Sequence, residues 1–145
     1  MRIALCICPQ WSVQTPSFAI GSLKSHIKNK DVEVEQFDLN IRTSLYTKEK
    51  NIQKFWDWGN DTPWNSEANF KDEILPHFKD LWHEYIDKLA EYDVVAFTTY
   101  ISNIVTTDYI ARYLKQKNPK IQIWYGGPYS WYAESAGLVE NDNYR

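Results

Sequence analysis

The sequence predicts an α/β fold of the flavodoxin-like (Rossmann-like) type, a three-layer sandwich with a mostly parallel sheet. Two observations predict it. Four short segments have the apolar composition of strands, and segments with helical spacing of apolar residues lie between them. Strands that alternate with helices form parallel sheets covered by helices. The 145 residues suit one such domain, so we expect a single α/β domain over residues 1–145.

The four predicted strands differ in polarity, and this difference predicts their places in the sheet. Segments 3–8 and 93–99 are almost wholly apolar, like the central strands of a parallel sheet. Segment 32–37 has a more polar face and lies nearer an edge, and segment 120–125 leads into a Gly-Gly-Pro turn. The order 2-1-3-4 is expected for a doubly wound sheet. The sequence ends where a fifth strand would begin, so we expect the last strand to be absent and the chain to be a piece of a longer polypeptide.

Helical periodicity fills most of the intervening segments. Helices are predicted over 70–89, where Pro76 opens or kinks the regular helix, over 104–118, and over 133–139. The first helix is predicted to open at Thr15-Pro16 and to carry an apolar face made of Phe18, Ala19, Leu23 and Ile27.

The segment 41–68 has the weakest pattern in the chain. We expect a short helix over 48–58 and an ordered loop after it. The aromatic residues of segment 55–64 are interpreted as a satellite of the core under this loop, and a lid over a ligand is the alternative.

Composition and charge exclude several classes of function. The net charge of −3 gives no electrostatic footprint for nucleic acid. The sequence has no long apolar run and no leader-like N-terminus, which predicts a cytoplasmic protein without membrane contact. Cys6 and Cys8 lie on one face of the first strand, too far apart for a favourable disulfide, and are expected to be buried thiols.

Candidate site residues follow the carboxyl ends of the strands, where open α/β sheets bind ligands. The loops after strands one, three and four are small or rich in hydroxyls, and each carries one large aromatic ring. Together with the end of strand two they give the candidate binding residues Pro9, Gln10, Trp11, Ser12, Thr15, Asp38, Asn40, Thr98, Thr99, Tyr100, Ser102, Asn103, Gly126, Gly127, Pro128 and Tyr129.

No catalytic or metal-ligating residues are predicted among them. The histidines His26, His77 and His83 all fall in predicted helices, away from these loops. The sequence contains no GxxxxGK[ST] or GxGxxG phosphate loop either.

The order of these pieces resembles the N-terminal cobalamin-binding domain of cobalamin-dependent radical S-adenosylmethionine enzymes. The resemblance covers almost the whole chain and rests on Pro9 ending strand one, Thr15-Pro16, Asp38-Leu39-Asn40, the strand 93–98 followed by Tyr100 and Asn103, and Gly126-Gly127-Pro128. It implies a corrin ring at the carboxyl edge of the sheet, with its nucleotide tail running toward the Gly-Gly turn. On this basis a bulky residue at Gly126 or Gly127 is expected to weaken binding with little loss of fold.

Two departures from related patterns limit what the resemblance implies. The DxHxxG motif that supplies a cobalt-ligating histidine in methionine-synthase-like domains is absent, since the loop at 9–16 reads PQWSVQTP. The CxxxCxxC motif for a 4Fe-4S cluster is also absent. We therefore expect a cobalamin-binding module that is not catalytic alone. The cluster, S-adenosylmethionine and the chemistry would belong to a C-terminal radical domain of the parent chain.

Two other functions compete with this interpretation. The first is an interaction or regulatory domain without a cofactor, which would leave the tryptophans of segment 55–64 exposed, whereas a core role would bury them. The second is a flavin-binding enzyme, which the first loop disfavours because it lacks the Ser/Thr and Gly run that cradles a phosphate.

Overall fold

The computed structural model describes residues 1–14, 17–27, 31–56 and 62–129. Its four strands are β1 (Arg2–Ile7), β2 (Glu33–Asp38), β3 (Val94–Thr98) and β4 (Gln122–Gly126). All pairings between them are parallel, and the strand order is β2-β1-β3-β4. This confirms the α/β, flavodoxin-like prediction and the predicted order.

Side chains alternate between the two faces of the sheet, as the strand period of two residues requires. The first face carries Ile3, Leu5 and Ile7 of β1 together with Val94 of β3. The second face carries the larger core cluster. Cys6 and Cys8 are buried in that cluster and are free thiols, which confirms the sequence interpretation. Burial raises the pKa of the Cys6 thiol well above its usual value.

Helices lie on both faces, and the second face is the more heavily covered. Helix α1 (Phe18–His26) packs on the first face through Ile20. On the second face lie α2 (Leu39–Glu49), α5 (Leu75–Leu89) and α6 (Ile104–Lys117). Short turns connect α2 to α5: a 3-10 turn (Gln53–Trp56), α3 (Thr62–Asn65), α4 (Glu67–Asn69) and a π-helical turn (Phe70–Ile74).

Helix α5 confirms the longest periodic pattern in the sequence. Pro76 lies in its first turn, so it opens the regular helix after the π-helical turn. A proline is tolerated there because the amide hydrogens of a first turn have no partner within the helix. The apolar residues that face the core are Phe78, Leu81, Trp82, Ile86 and Leu89.

The predicted apolar face of α1 is wrong. The helix begins at Phe18 with Ser17 as its N-cap residue, while Thr15 and Pro16 lie outside the described residues. Phe18 is 85% exposed and Leu23 is 51% exposed, whereas Ile20 is buried. Helix α1 has nine residues and turns the side chain of Ile20 toward the sheet. The side chain of Leu23, on the flank of the helix, lies instead beside the first face of β3 and β4.

The predicted helix over 48–58 is also wrong. Helix α2 spans Leu39–Glu49 instead, and the 3-10 turn Gln53–Trp56 follows it. The buried face of α2 is largely polar, with Thr43 and Thr47 donating hydroxyl hydrogen bonds to carbonyl oxygens of their own helix. Residues 57 and 58 of the predicted helix, and the predicted last helix over 133–139, lie outside the described residues.

At Trp64 the structure confirms the core interpretation of the aromatic segment 55–64. It is 1% exposed and packs against Phe78 and Trp82, while Trp56 meets it edge-on and is half-buried. Trp58 lies outside the described residues. Among the helices that the structure describes, none is long and apolar enough to cross a membrane.

Candidate functional site

The loops after β1 and β3 are joined directly at the carboxyl edge of the sheet. The backbone amide of Gln10 donates to the backbone carbonyl oxygen of Ser102 at 3.4 Å, and the Ser102 hydroxyl donates to the backbone carbonyl oxygen of Gln10 at 2.7 Å. The order β2-β1-β3-β4 makes β1 and β3 neighbours, with their connections leaving in opposite directions. The loops thus meet at the topological switch point, as the sequence predicts.

The loops after β3 and β4 are joined by Thr99. Its amide and its hydroxyl both donate to the Gly126 carbonyl oxygen, at 2.7 Å and 2.8 Å, and its carbonyl oxygen accepts from the Tyr129 amide at 3.2 Å. Thr99 is buried. It is therefore a positioning residue that fixes the Gly-Gly-Pro turn against β3.

The side chains of Asn103 and Asn40 fix the loops by hydrogen bonds to backbone groups. The Asn103 amide group donates to the carbonyl oxygens of Cys8 and Thr98, and its Oδ1 accepts from the Tyr100 amide. Asn40 accepts from the Trp11 amide at 2.8 Å and donates to the Ser12 carbonyl oxygen at 3.2 Å. Both asparagines are buried. Because these bonds engage both ends of each side chain, we assign the two residues a positioning role.

Asp38 has a local role at the end of β2. Its Oδ1 accepts from the Ile41 amide at 2.8 Å and caps helix α2. A carboxylate at this position also suits the positive end of the helix dipole. The Asp38 carboxylate therefore stabilises the start of helix α2, which carries Asn40.

Two aromatic rings, one from each of the loops after β1 and β3, form a stacked pair. Trp11 and Tyr100 stack with ring centroids 3.9 Å apart and an interplanar angle of 12°. Both rings are half-buried, and both pack against the first-face cluster. Sequence reasoning placed one aromatic ring in each loop, and the structure brings these two into contact.

An apolar cleft of about 310 Å³ opens beside this pair, between α1 and the first face of β3 and β4. Helix α1 lines it with Ala19 and Leu23, β3 with Ala96 and Thr98, and β4 with Trp124 and Gly126. No described residue that lines it carries a charge at neutral pH. Small side chains on the strands give the cleft its depth, and its volume is within the range of small-molecule sites.

The two glycines of the turn differ in their surroundings. Gly127 has a φ of 99°, and a Cβ there would lie 2.7 Å from the Thr99 carbonyl oxygen. A Cβ at Gly126 would meet its nearest neighbour, the Phe97 carbonyl oxygen, at an ordinary 3.9 Å. The expectation that either glycine tolerates a bulky residue is therefore wrong for Gly127, because its backbone conformation and close approach both require glycine.

The side-chain nitrogen of Gln10 is a polar atom without a partner in this region. Gln10 is 2% exposed, and its Nε2 has no hydrogen-bond partner among the described residues. An unpaired buried amide donor is costly, and Gln10 is not among the residues that line the cleft. Neighbouring Pro9 is buried, Pro128 lines the cleft, and Thr15 lies outside the described residues.

The three histidines lie away from this edge. His26 is exposed on α1, His77 stacks on Phe55, and His83 contacts Tyr109. Within the described residues, no group of three or more His, Cys, Asp or Glu side chains is placed to hold a metal ion.

Sequence reasoning missed the walls of the cleft: Leu5, Ala19, Ile20, Leu23, Ala96 and Trp124. Two signals were present. Ala96 is the single small residue within the apolar run of β3, and Trp124 is a large ring on a strand that otherwise alternates polar and apolar residues.

A comparison with protein-family models, with curated proteins and with solved structures finds no match to this chain.

Proposed function

We propose that this chain is a cobalamin-binding domain. The observation that carries the proposal is the uncharged apolar cleft that begins at the joined loops and runs down between α1 and the strands β3 and β4. Cobalamin combines a wide corrin ring with a nucleotide tail that ends in a flat, uncharged aromatic base. The joined loops offer a platform for the ring, and the cleft offers a slot for the base.

The residues present fit such a ligand in two respects. Ala96 and Gly126 leave room at the floor of the cleft, so a flat ring meets little side-chain bulk there. The Gln10 Nε2 atom, a buried donor without a partner in the loop after β1, would suit the amide carbonyl groups at the rim of a corrin when this loop adjusts around the ligand. Ser102 and Thr98 add hydroxyl groups nearby.

The cobalt ion would receive no histidine from the first loop, because residues 9–14 contain none. The chain's own contribution is to bind and orient the corrin and to exclude water from its base. Cobalamin supplies a cobalt centre that carries an alkyl group or accepts electrons. In the parent enzyme, the 4Fe-4S cluster, S-adenosylmethionine and the substrate would belong to a C-terminal radical domain, so this domain alone would bind without catalysing a reaction.

The exposed apolar side chains of the first face support a packed partner domain. Phe18, Leu23 and Trp124 are all substantially exposed on or beside this face, and such clusters mark interaction surfaces. A cofactor-free interaction domain is the competing function that the same observation favours. The two functions differ in one measurable property, which is retention of a corrinoid.

The test is a titration with hydroxocobalamin, followed by the visible spectrum and by co-elution on gel filtration. We expect a spectral shift and retention at a protein concentration on the order of 10 μM. Cobinamide, which lacks the nucleotide tail, should be retained less well. Gly126→Val should weaken cobalamin more than cobinamide, and Leu45→Ala, on the exposed surface of α2, serves as the control. Absence of both shift and retention in the folded protein would overturn the proposal and leave the interaction domain.

A further inference from the structure

A tyrosine and a histidine form a hydrogen-bonded pair away from the cleft. The Nε2 atom of His83 on α5 lies 2.9 Å from the phenolic oxygen of Tyr109 on α6. Tyr113 lies beside both residues, with its ring centroid 4.7 Å from each of theirs. All three side chains are half-buried, so solvent reaches the group from one side.

Aromatic rings connect this pair to the protein interior. The centroid of Trp64 is 6.3 Å from that of Trp82, and Trp82 is 6.1 Å from Tyr109. Phe70 stacks on Trp82 and also contacts Tyr109. Trp64 and Trp82 are almost completely buried. Electron transfer slows steeply with distance, so rings in contact allow a charge to move in short steps where one long step would be slow.

The pair has the parts that one-electron oxidation of a phenol requires. An oxidised phenol is a strong acid and loses its proton, which must have an acceptor within hydrogen-bond distance. In the tautomer of His83 that carries its proton on Nδ1, the Nε2 atom is that acceptor. Burial, followed by the neighbouring Tyr113, raises the pKa of Tyr109, so the phenol is protonated at neutral pH until an electron leaves.

We propose that Tyr109 is a redox-active tyrosine at the surface end of the ring series Trp64–Trp82–Tyr109. A one-electron oxidant, either an organic radical or a high-valent metal complex, removes one electron from a tryptophan and is itself reduced. Tyr109 returns that electron to the tryptophan, while its phenolic proton moves to Nε2 of His83. A thiolate or ascorbate in solvent then supplies one electron, and the proton returns to the tyrosyl oxygen. This site is independent of cobalamin binding.

The experiment places a photo-oxidant next to the buried end of the series. Asn65 is exposed and adjacent to Trp64, and the described cysteines are buried. An Asn65→Cys protein is therefore labelled with a ruthenium(II) polypyridyl complex and flash-oxidised with a diffusing quencher. Transient absorption follows the tryptophan and tyrosyl radicals, and freeze-quench electron paramagnetic resonance identifies the tyrosine.

We expect a neutral tyrosyl radical that Tyr109→Phe abolishes and Tyr113→Phe, the matched control, retains. Trp82→Phe should delay its appearance, and His83→Phe should slow its formation by about 10²-fold. Circular dichroism confirms that each variant is folded. A tyrosyl signal of equal yield in Tyr109→Phe, or an unchanged rate in folded His83→Phe, would overturn the proposal and leave a hydrogen bond that only satisfies two polar atoms.

Discussion

Gly127 and Thr99 approach so closely that a Cβ atom on the glycine would lie 2.7 Å from the carbonyl oxygen and 3.0 Å from the amide nitrogen of the threonine. The same threonine binds the Gly126 carbonyl oxygen through its amide and hydroxyl groups. The Gly-Gly-Pro turn therefore lies directly on the backbone that follows β3. Its glycines serve first to close the carboxyl edge, and the cleft beside them depends on that closure.

Gly127→Ala should destabilise the fold, whereas Gly126→Ala should be nearly neutral. The φ of 99° at Gly127 and the contact with Thr99 together cost about 1–3 kcal/mol in the free energy of unfolding. Urea unfolding followed by tryptophan fluorescence measures both variants. Equal stabilities for the two would contradict the close approach between Gly127 and Thr99.

Asn40→Ala should loosen the loop after β1. Removal of the side chain leaves the Trp11 amide and the Ser12 carbonyl oxygen without the partners seen here, at a cost of about 1–3 kcal/mol. We expect faster amide hydrogen exchange at residues 10–12, since Asn40 binds this loop to α2. Asn65→Ala, at an exposed position, is the control and should change neither quantity. Unchanged exchange at Trp11 in the Asn40 variant would show that other contacts order the loop.

The sheet could be predicted from sequence because its two central strands, β1 and β3, are buried on both faces. Continuous apolar runs such as 3–8 leave few alternatives to a central parallel strand, and the length of the connections excludes hairpins. Helix α2 could not be found in the same way. Its buried face includes Thr43, Ser44 and Thr47. The Thr43 and Thr47 hydroxyls donate to carbonyl oxygens of the helix, and Thr43 also accepts from the Trp82 indole. A hydrophobicity pattern does not detect such a face.

The loops of the site could be located from sequence, but the roles of their residues could not. Parallel topology brings the carboxyl ends of strands together, so Gln10, Ser102 and Thr99 had to be neighbours. The direction of each side chain depends on its hydrogen bonds: tertiary contacts turn Asn40 and Asn103 toward backbone groups, and the cap of helix α2 turns Asp38 toward the Ile41 amide. The cleft walls also depend on α1, whose exposed Leu23 is not distinguished from a core leucine by spacing alone.

The raised pKa of Tyr92 predicts a loss of stability at alkaline pH. Burial, followed by its hydrogen bond to Glu35, raises the pKa of this phenol from 10.0 to about 12. Between these values the unfolded chain releases the phenolic proton while the folded protein retains it. The free energy of unfolding should therefore fall as pH rises from about 10 to about 12.

Tyr92→Phe should flatten that part of the pH profile, because the variant has no phenol to ionise at this position. Urea unfolding at a series of alkaline pH values measures the slope for both proteins, and ultraviolet absorbance of tyrosinate follows the ionisation directly. The raised pKa of Tyr109 acts in the same direction, so part of the slope should remain. Identical slopes in Tyr92→Phe and the parent protein would exclude this residue as a source.

Trp64→Ala should be among the most destabilising single changes in the chain, in contrast to Trp124→Ala. Trp64 is 1% exposed, its indole N–H donates to the Phe55 carbonyl oxygen at 3.1 Å, and its ring packs on Phe78 and Trp82. Truncation of a buried tryptophan to alanine costs about 3–5 kcal/mol. Trp124 is 48% exposed in the wall of the cleft, so its truncation should cost much less and act mainly on ligand binding. Urea unfolding and hydroxocobalamin titration of the two variants separate these effects: if Trp64 were part of a mobile lid, its truncation would impair binding and leave the free energy of unfolding unchanged.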